Sequence, residues 1–215
     1  MPSVSRYICQ GVKLVGLVDI FRRPTPASVG NWTMNDGTIT FQAGAGANEI
    51  IFLPYIAQQN ASVAMAGKEV ISGEFTGCVM SIYRDSDGAV YASHIDTAEW
   101  ENERPGKTAW IQKKKGNGFQ LLSEFSTNNL ISDFLAIQPN ENVRNFGLKL
   151  VGICIADPAN SSITYAIVYR DNGIYTVVQT RRGESVQWCN CQDLRYRLIT
   201  DNHSAATFRF IASVG

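Results

Sequence analysis

Short runs of β-branched and aromatic residues recur along the chain, each bounded by Gly, Asn, Asp or Pro. Strand-forming composition thus alternates with turn chemistry, and that alternation predicts sheets joined by tight connections. The runs cover residues 12–20, 38–42, 49–53, 79–83, 89–95, 108–112, 148–155, 163–169, 174–179 and 207–211. Asp171-Asn172-Gly173 sits between two of them and reads as a hairpin turn. One span departs from the rhythm. Between 119 and 137 the apolar residues Leu121, Leu122, Phe125, Ile131, Phe134 and Leu135 recur at offsets of three and four. This predicts a helix within the span, interrupted near Asn128-Asn129 and ended by Pro139. A shorter helical piece is expected between Pro54 and Ala66. Many strands and few helices predict an α+β class: a β-rich sandwich of mixed or antiparallel sheets. No linker or low-complexity tract divides residues 1–215, so a single domain is expected. The likeness of Gly11-Val-Lys-Leu-Val-Gly16 to Gly147-Leu-Lys-Leu-Val-Gly152 is one pair of matching segments, too few for a repeat architecture.

Composition removes several classes. With 45% apolar and 18% charged residues in 215, the chain is neither disordered nor a coiled coil. Nineteen basic and nineteen acidic side chains cancel, which argues against nucleic acid as a partner. The densest basic run, Lys113-Lys114-Lys115, reads as a solvated turn. No stretch of 18 apolar residues spans a membrane, and no secretory signal peptide is visible. Five cysteines, an odd number, argue against a disulfide framework and for a reducing compartment. Cys189 and Cys191 form the one close pair, but two histidines in the whole chain do not complete a zinc site. Gly44-Ala-Gly46-Ala-Asn48 lacks the Gly-Lys-Ser/Thr ending of a phosphate loop. Neither metal nor cofactor is expected, and the chain is expected to be a monomer.

The informative stretch runs from Ser72 to Asp96. It reads as strand, turn, strand around Asp87-Gly88. A two-residue turn would pair Ser86 with Ala89 and put Cys78 and His94 on opposite faces of the ribbon. A three-residue loop with left-handed Gly88 pairs Asp85 with Ala89 instead. Tyr83 then faces Tyr91, Ser81 faces Ser93, and Val79 faces Ile95, like-with-like pairs that favour this register. Cys78, Met80, Val90, Ala92 and His94 then share one face, with His94 diagonal to Cys78. Diagonal neighbours lie roughly 7–8 Å apart at the backbone, which a thiol and an imidazole can bridge. Such a pair can act: the imidazole takes the thiol proton and later returns it to a leaving amine. Gly77 allows close substrate approach, and the Cys78 amide is placed to help hold an oxyanion. The plainer reading is a buried cysteine and a strand histidine with no reactive role. His203 reads as a turn residue.

Ile50-Ile51-Phe52-Leu53-Pro54-Tyr55, Phe75-Thr76-Gly77-Cys78 and Ser93-His94-Ile95-Asp96 are three motifs of this region. They resemble the cytotoxic-necrotizing-factor-type glutamine deamidases, nearest to the Burkholderia lethal factor branch. Together they cover about a quarter of the chain, between Glu49 and Asp96. The resemblance implies that Cys78 is the nucleophile and His94 the base. Ser72 stands six residues before the cysteine, where the lethal factor branch carries a threonine whose hydroxyl orients the histidine. Asp96 competes for that task, and the necrotizing factors use a backbone carbonyl. The hairpin is longer here than in the lethal factor branch. The implied reaction converts a glutamine of a target protein to glutamate through a thioester, with no cofactor. Relatives are bacterial toxins and effectors that act in the host cytosol on Rho-type GTPases or a translation-initiation RNA helicase. A protein substrate of that kind, a host GTPase or translation factor, is the expected partner, with secretion or injection as the route. Two alternatives stay open: another thiol enzyme (cysteine protease, transglutaminase or chemoreceptor deamidase), and a non-catalytic β-rich binding module.

Overall fold

A computed structural model describes residues 3–21, 26–136 and 149–183. The expected strand at 207–211, the expected helix stop at Pro139, His203 and the Cys189–Cys191 pair lie outside these residues. The described residues are β-rich, with mixed and antiparallel sheets and three short α-helices, the α+β class expected. Its strands, in order, are β1 (Lys13–Val15), β2 (Ser28–Asn35), β3 (Thr38–Ala43), β4 (Glu49–Leu53), β5 (Asn60–Ala64) and β6 (Val70–Phe75). They continue with β7 (Val79–Arg84), β8 (Val90–Ile95), β9 (Gln120–Ser126), β10 (Leu150–Asp157), β11 (Ser162–Asp171) and β12 (Ile174–Gly183). The helices are α1 (Leu17–Phe21), α2 (Pro105–Lys114) and α3 (Leu130–Ala136).

The two layers take the form of a barrel and a sheet. Eight strands close in the order β1-β12-β11-β10-β6-β4-β2-β3, with β3 returning to pair in parallel with β1. Closure leaves no open edge among these strands. The second layer is an antiparallel sheet in the order β5-β8-β7-β9.

Side-chain alternation divides the barrel's residues between two cores. Leu14, Trp32, Ile39, Ile50, Ile71, Ile153, Val168 and Val177 come from all eight strands and pack in one cluster. Residues from opposite sides of a barrel meet only inside it, so this cluster is the interior. Val4, Leu17, Val18 and Phe21 join it from the N-terminal segment. Glu69 ties that segment down: its carboxylate accepts from the backbone N–H groups of Val4 (2.6 Å) and Ser5 (3.2 Å). The second core lies between the layers. Leu53, Val70, Phe75, Cys154, Tyr165 and Ile167 of the barrel meet Met80, Ile82, Ala92 and Phe125 of the sheet, with Leu130 and Phe134 of α3. Strands β10 and β11 serve both cores, which is why their sequences are almost continuously apolar.

The structure departs from several sequence expectations. The run at 12–20 is a strand only over Lys13–Val15. Gly16 breaks it at φ +88, where a Cβ would lie 2.2 Å from the Phe41 carbonyl oxygen, and α1 follows. The run at 108–112 is not a strand but the middle of α2, begun by Pro105 at the first turn and closed by Lys113 and Lys114 at the last. Pro at the first helical position and cations at the C-terminus outweigh the β propensity of Thr108 and Ile111. The span 119–137 is half strand and half helix. The break near Asn128-Asn129 is real, with Asn129 at φ 64, but β9 precedes it and α3 follows. Leu121 and Phe125 are four apart, and an offset of four also fits a period of two. No helix forms between Pro54 and Ala66; β5 occupies that stretch and pairs with β8. Strands β2 and β6 each contain a glycine, Gly30 and Gly73, and were not expected as separate strands.

Candidate functional site

The β7–β8 hairpin adopts the three-residue loop. The Asp85 N–H donates to the Ala89 carbonyl at 3.1 Å, and Gly88 has φ 80. Val79 pairs with Ile95, Met80 with His94, Ser81 with Ser93 and Tyr83 with Tyr91. Met80, Ile82 and Ala92 face the barrel in the interlayer core, and Cys78 and His94 lie at one end of that face.

His94 is completely buried. Phe75 stacks on its ring with centroids 3.9 Å apart, and Tyr55 covers it at 5.2 Å. Nδ1 lies 2.8 Å from the Ser72 Oγ. The Ser72 hydroxyl donates its one proton to the Leu53 carbonyl at 2.6 Å. Its oxygen must therefore accept from Nδ1–H, because a hydroxyl carries a single proton. This chain of bonds fixes the tautomer and leaves the lone pair on Nε2, which has no hydrogen-bond partner among the described residues. Burial pushes the imidazole pKa down to about 3, against a smaller opposing pull from the Asp96 charge. The ring is neutral at physiological pH.

Cys78 stands between β6 and β7 with its backbone clamped. Its carbonyl accepts from the Thr127 N–H (3.0 Å) and hydroxyl (2.7 Å), and the Gly77 carbonyl accepts from the Thr97 hydroxyl (2.7 Å). Sγ donates to Asp96 Oδ1 across 3.8 Å. Burial raises the thiol pKa to about 11, the Thr97 backbone N–H opposes this, and Asp96 adds to it. The resting pair is a neutral thiol beside a neutral imidazole, without a hydrogen bond between them.

Asp96 does not orient the histidine. Its Oδ2 accepts from the Tyr55 hydroxyl (3.0 Å) and the Gln58 N–H (2.7 Å), and its Oδ1 accepts from the Ala98 N–H (2.9 Å). Burial disfavours its charge, but these donors outweigh burial and hold the carboxyl below its usual value. Tyr55, in turn, is pushed up to about 12 by burial and by its bond to Asp96.

A pocket of about 330 Å³ opens onto this group, lined by Tyr55, Glu74, Gly77, Cys78, Asp96 and Asn128 among others. Cys78 lines the pocket, and the completely buried His94 does not. Glu74 is paired at the wall: Arg170 donates to it at 2.9 Å and the Tyr175 hydroxyl at 2.6 Å. Cys154 sits opposite Ser72 on β10, fully buried and sealed from the pocket. Among the described residues, no three His, Cys, Asp or Glu side chains gather to hold a metal ion.

The structure therefore joins His94 to Ser72 and places Cys78 on the same face of the ribbon, with its sulfur bonded to Asp96 and not to the imidazole. Four contributors escaped the sequence reading: the Leu53 carbonyl, the Phe75 ring, and the Thr97 and Thr127 clamps. A backbone carbonyl carries no residue signature. The clamps come from segments whose approach depends on the whole sheet. No known protein-family model matches this chain, and no curated protein matches it significantly in sequence.

Proposed function

We propose that this protein is a cysteine-dependent protein-glutamine deamidase, with Cys78 as nucleophile, His94 as general base and acid, and Ser72 as the group that orients the imidazole. The observation that carries the reading is the Leu53–Ser72–His94 chain, which turns an unprotonated Nε2 toward no other partner on the face that holds a pocket-lining thiol. The three motifs behind the resemblance, distant in sequence, each supply parts of this one site. The first gives the Leu53 carbonyl and Tyr55, the second Phe75 and Cys78, the third His94 and Asp96.

In the proposed reaction Nε2 takes the thiol proton as Sγ attacks the side-chain carbonyl carbon of a bound glutamine. The Cys78 backbone N–H faces the developing oxyanion. The imidazolium returns the proton to the amide nitrogen, ammonia leaves, and a thioester remains. Water, deprotonated by His94, attacks the thioester, the C–S bond breaks, glutamate is released, and the imidazolium returns its proton to the sulfur to regenerate the thiol. A neutral imidazole suits the first step, since only the neutral ring accepts a proton. The product carries one more negative charge, enough to disable a catalytic glutamine or a partner interface. The same reading makes the chain a bacterial effector acting in a host cytosol on a GTPase or a translation factor.

The high thiol pKa and the missing Cys–His bond favour a second reading, in which Cys78 is core packing in a binding module. One experiment separates them. Wild type and Cys78→Ser are expressed in eukaryotic cells, and the proteome is searched for Gln→Glu changes. Changes present only with wild type support the deamidase. Identical proteomes would leave the binding module standing, and cleaved targets would indicate a protease.

A further inference from the structure

We propose that Asp96 is a positioning residue that parks the Cys78 thiol in a resting rotamer turned away from His94, and that breaking the Sγ–Oδ1 contact delivers the sulfur to Nε2. This deepens the reading above. It rests on the Cys–His pair but not on glutamine as the substrate.

The geometry supports it from three sides. Among the described residues, the one polar side chain bonded to Sγ is the Asp96 carboxylate, at 3.8 Å. That carboxylate cannot drift, because Tyr55, Gln58 and Ala98 hold both its oxygens. Nε2, the group the thiol must reach, is fully buried on the same ribbon face and has no hydrogen-bond partner among the described residues. A cysteine side chain has a single torsion before its sulfur, so one rotation about it moves Sγ between diagonal neighbours. The step balances simply. The S–H bond breaks, an Nε2–H bond forms, and the sulfur keeps the electron pair. Asp96 holds the proton before the rotation without taking it.

The titratable groups around Cys78 are Asp96 and His94 from the β8 end, Tyr55 after β4, Glu74 on β6 and Cys154 on β10. Glu74 is already paired with Arg170, and Tyr55 and Cys154 are neutral at physiological pH. Asp96, hydrogen-bonded but without a cation partner among the described residues, is thus the negative charge nearest the sulfur, and its carboxylate stabilises S–H over thiolate.

The test measures the rate of Cys78 alkylation by iodoacetamide against pH. Cys9, Cys189 and Cys191 are changed to serine so that Cys78 and the sealed Cys154 are the remaining thiols. Asp96→Asn keeps the shape of the side chain and removes its charge. The profile is expected to move about one pH unit or more toward acid, with a rate near neutral pH about tenfold higher. Adding His94→Gln is expected to remove that gain. An unchanged profile in a folded Asp96→Asn protein would overturn the proposal, as would a gain that survives His94→Gln. If Asp96→Asn does not fold, the S–H stretching band of wild-type Cys78, assigned by its loss in Cys78→Ala, decides. A band shifted as for a thiol donating to a carboxylate supports the parked rotamer, and a free-thiol band sinks it. A shifted alkylation profile together with a failed search for Gln→Glu changes would sink the deamidase reading alone.

Discussion

On its outer side, the β7–β8 ribbon carries Tyr83, Tyr91 and Ile95 beneath α2, where Trp110 and Phe119 pack edge-on against each other. On its inner side it carries Met80, Ile82 and Ala92 against the barrel, ending in His94 beside Cys78. Both sides are largely buried, and each holds a polar atom with no hydrogen-bond partner among the described residues: Ser81 Oγ outside and His94 Nε2 inside. Each such atom costs about 1–3 kcal/mol relative to a bonded one. An unpaired atom therefore does not by itself mark a site. The surroundings separate the two cases. Ser81 lies in a wall sealed by aromatic rings. Nε2 belongs to a ring whose other nitrogen is locked, on the face that opens to a pocket through a thiol. In the proposed reading, stability and chemistry are divided between the faces of one hairpin.

The acid limb of the unfolding curve offers the largest break in this comparison. Unfolded, His94 binds a proton near pH 6.5; folded, it resists until about pH 3. Between these values the unfolded chain holds one proton more, so stability falls as pH drops from about 6.5 toward 3, by about 1.4 kcal/mol per unit for this residue. Asp96, whose folded carboxyl lies below its usual value, adds a further loss below its ordinary pKa of 3.8. Denaturant melts at a series of pH values should show the limb in wild type and a flatter one in His94→Gln. Equal slopes would mean that the inner face does not hold a neutral histidine.

The outer face should behave in the opposite way. Trp110 is buried, packs against Tyr83 and Phe119, and donates to Glu124 at 2.7 Å. Trp110→Ala should cost about 3–5 kcal/mol. The alkylation rate of Cys78 under native conditions should stay within a factor of a few, because nothing on that face touches the pocket. A large change in Cys78 reactivity would show that the faces are coupled.

Ser72 bridges the two layers, and its removal should be felt in rate more than in stability. Ser72→Ala frees the tautomer and orientation of His94 and should lower kcat for glutamine deamidation about a hundredfold, within the scale of general acid–base effects. Ser72→Thr keeps the hydroxyl and should restore most of the rate. A merely structural role would instead move the melting midpoint and leave the two variants alike in kcat.

Much of this arrangement could be read from the sequence where local chemistry is strong. The Ser86-Asp87-Gly88 loop and the like-with-like pairs fix the hairpin register, and with it the shared face of Cys78 and His94. Asp171-Asn172-Gly173 likewise reads as the turn between β11 and β12, with Asn172 and Gly173 both at positive φ. What escapes is set by distant contacts. The parallel pairing of β1 with β3 that closes the barrel follows from no local pattern. The competition between Ser72 and Asp96 for His94 is settled by how β6 and β8 face each other across the layers, and neither residue's spacing reveals that. Helix α2 is hard to see in the sequence because Trp110 and Ile111 suit a strand, while the deciding signal, Pro105, lies outside the apolar run.

The smallest effect should come from the other buried thiol. Cys154 lies in the same interlayer core as Cys78 and opposite Ser72 in register, and burial drives its pKa up as well. Among the described residues it lacks two things that Cys78 has: a place in the pocket wall and a carboxylate partner. Cys154→Ala removes one sulfur from a packed layer and should cost about 1 kcal/mol, near the low end for core truncations. Deamidase activity and Cys78 labelling should be unchanged. If Cys154→Ala abolished activity in a folded protein, burial depth would no longer separate the two cysteines, and the sealed side of the layer would have to be part of the site.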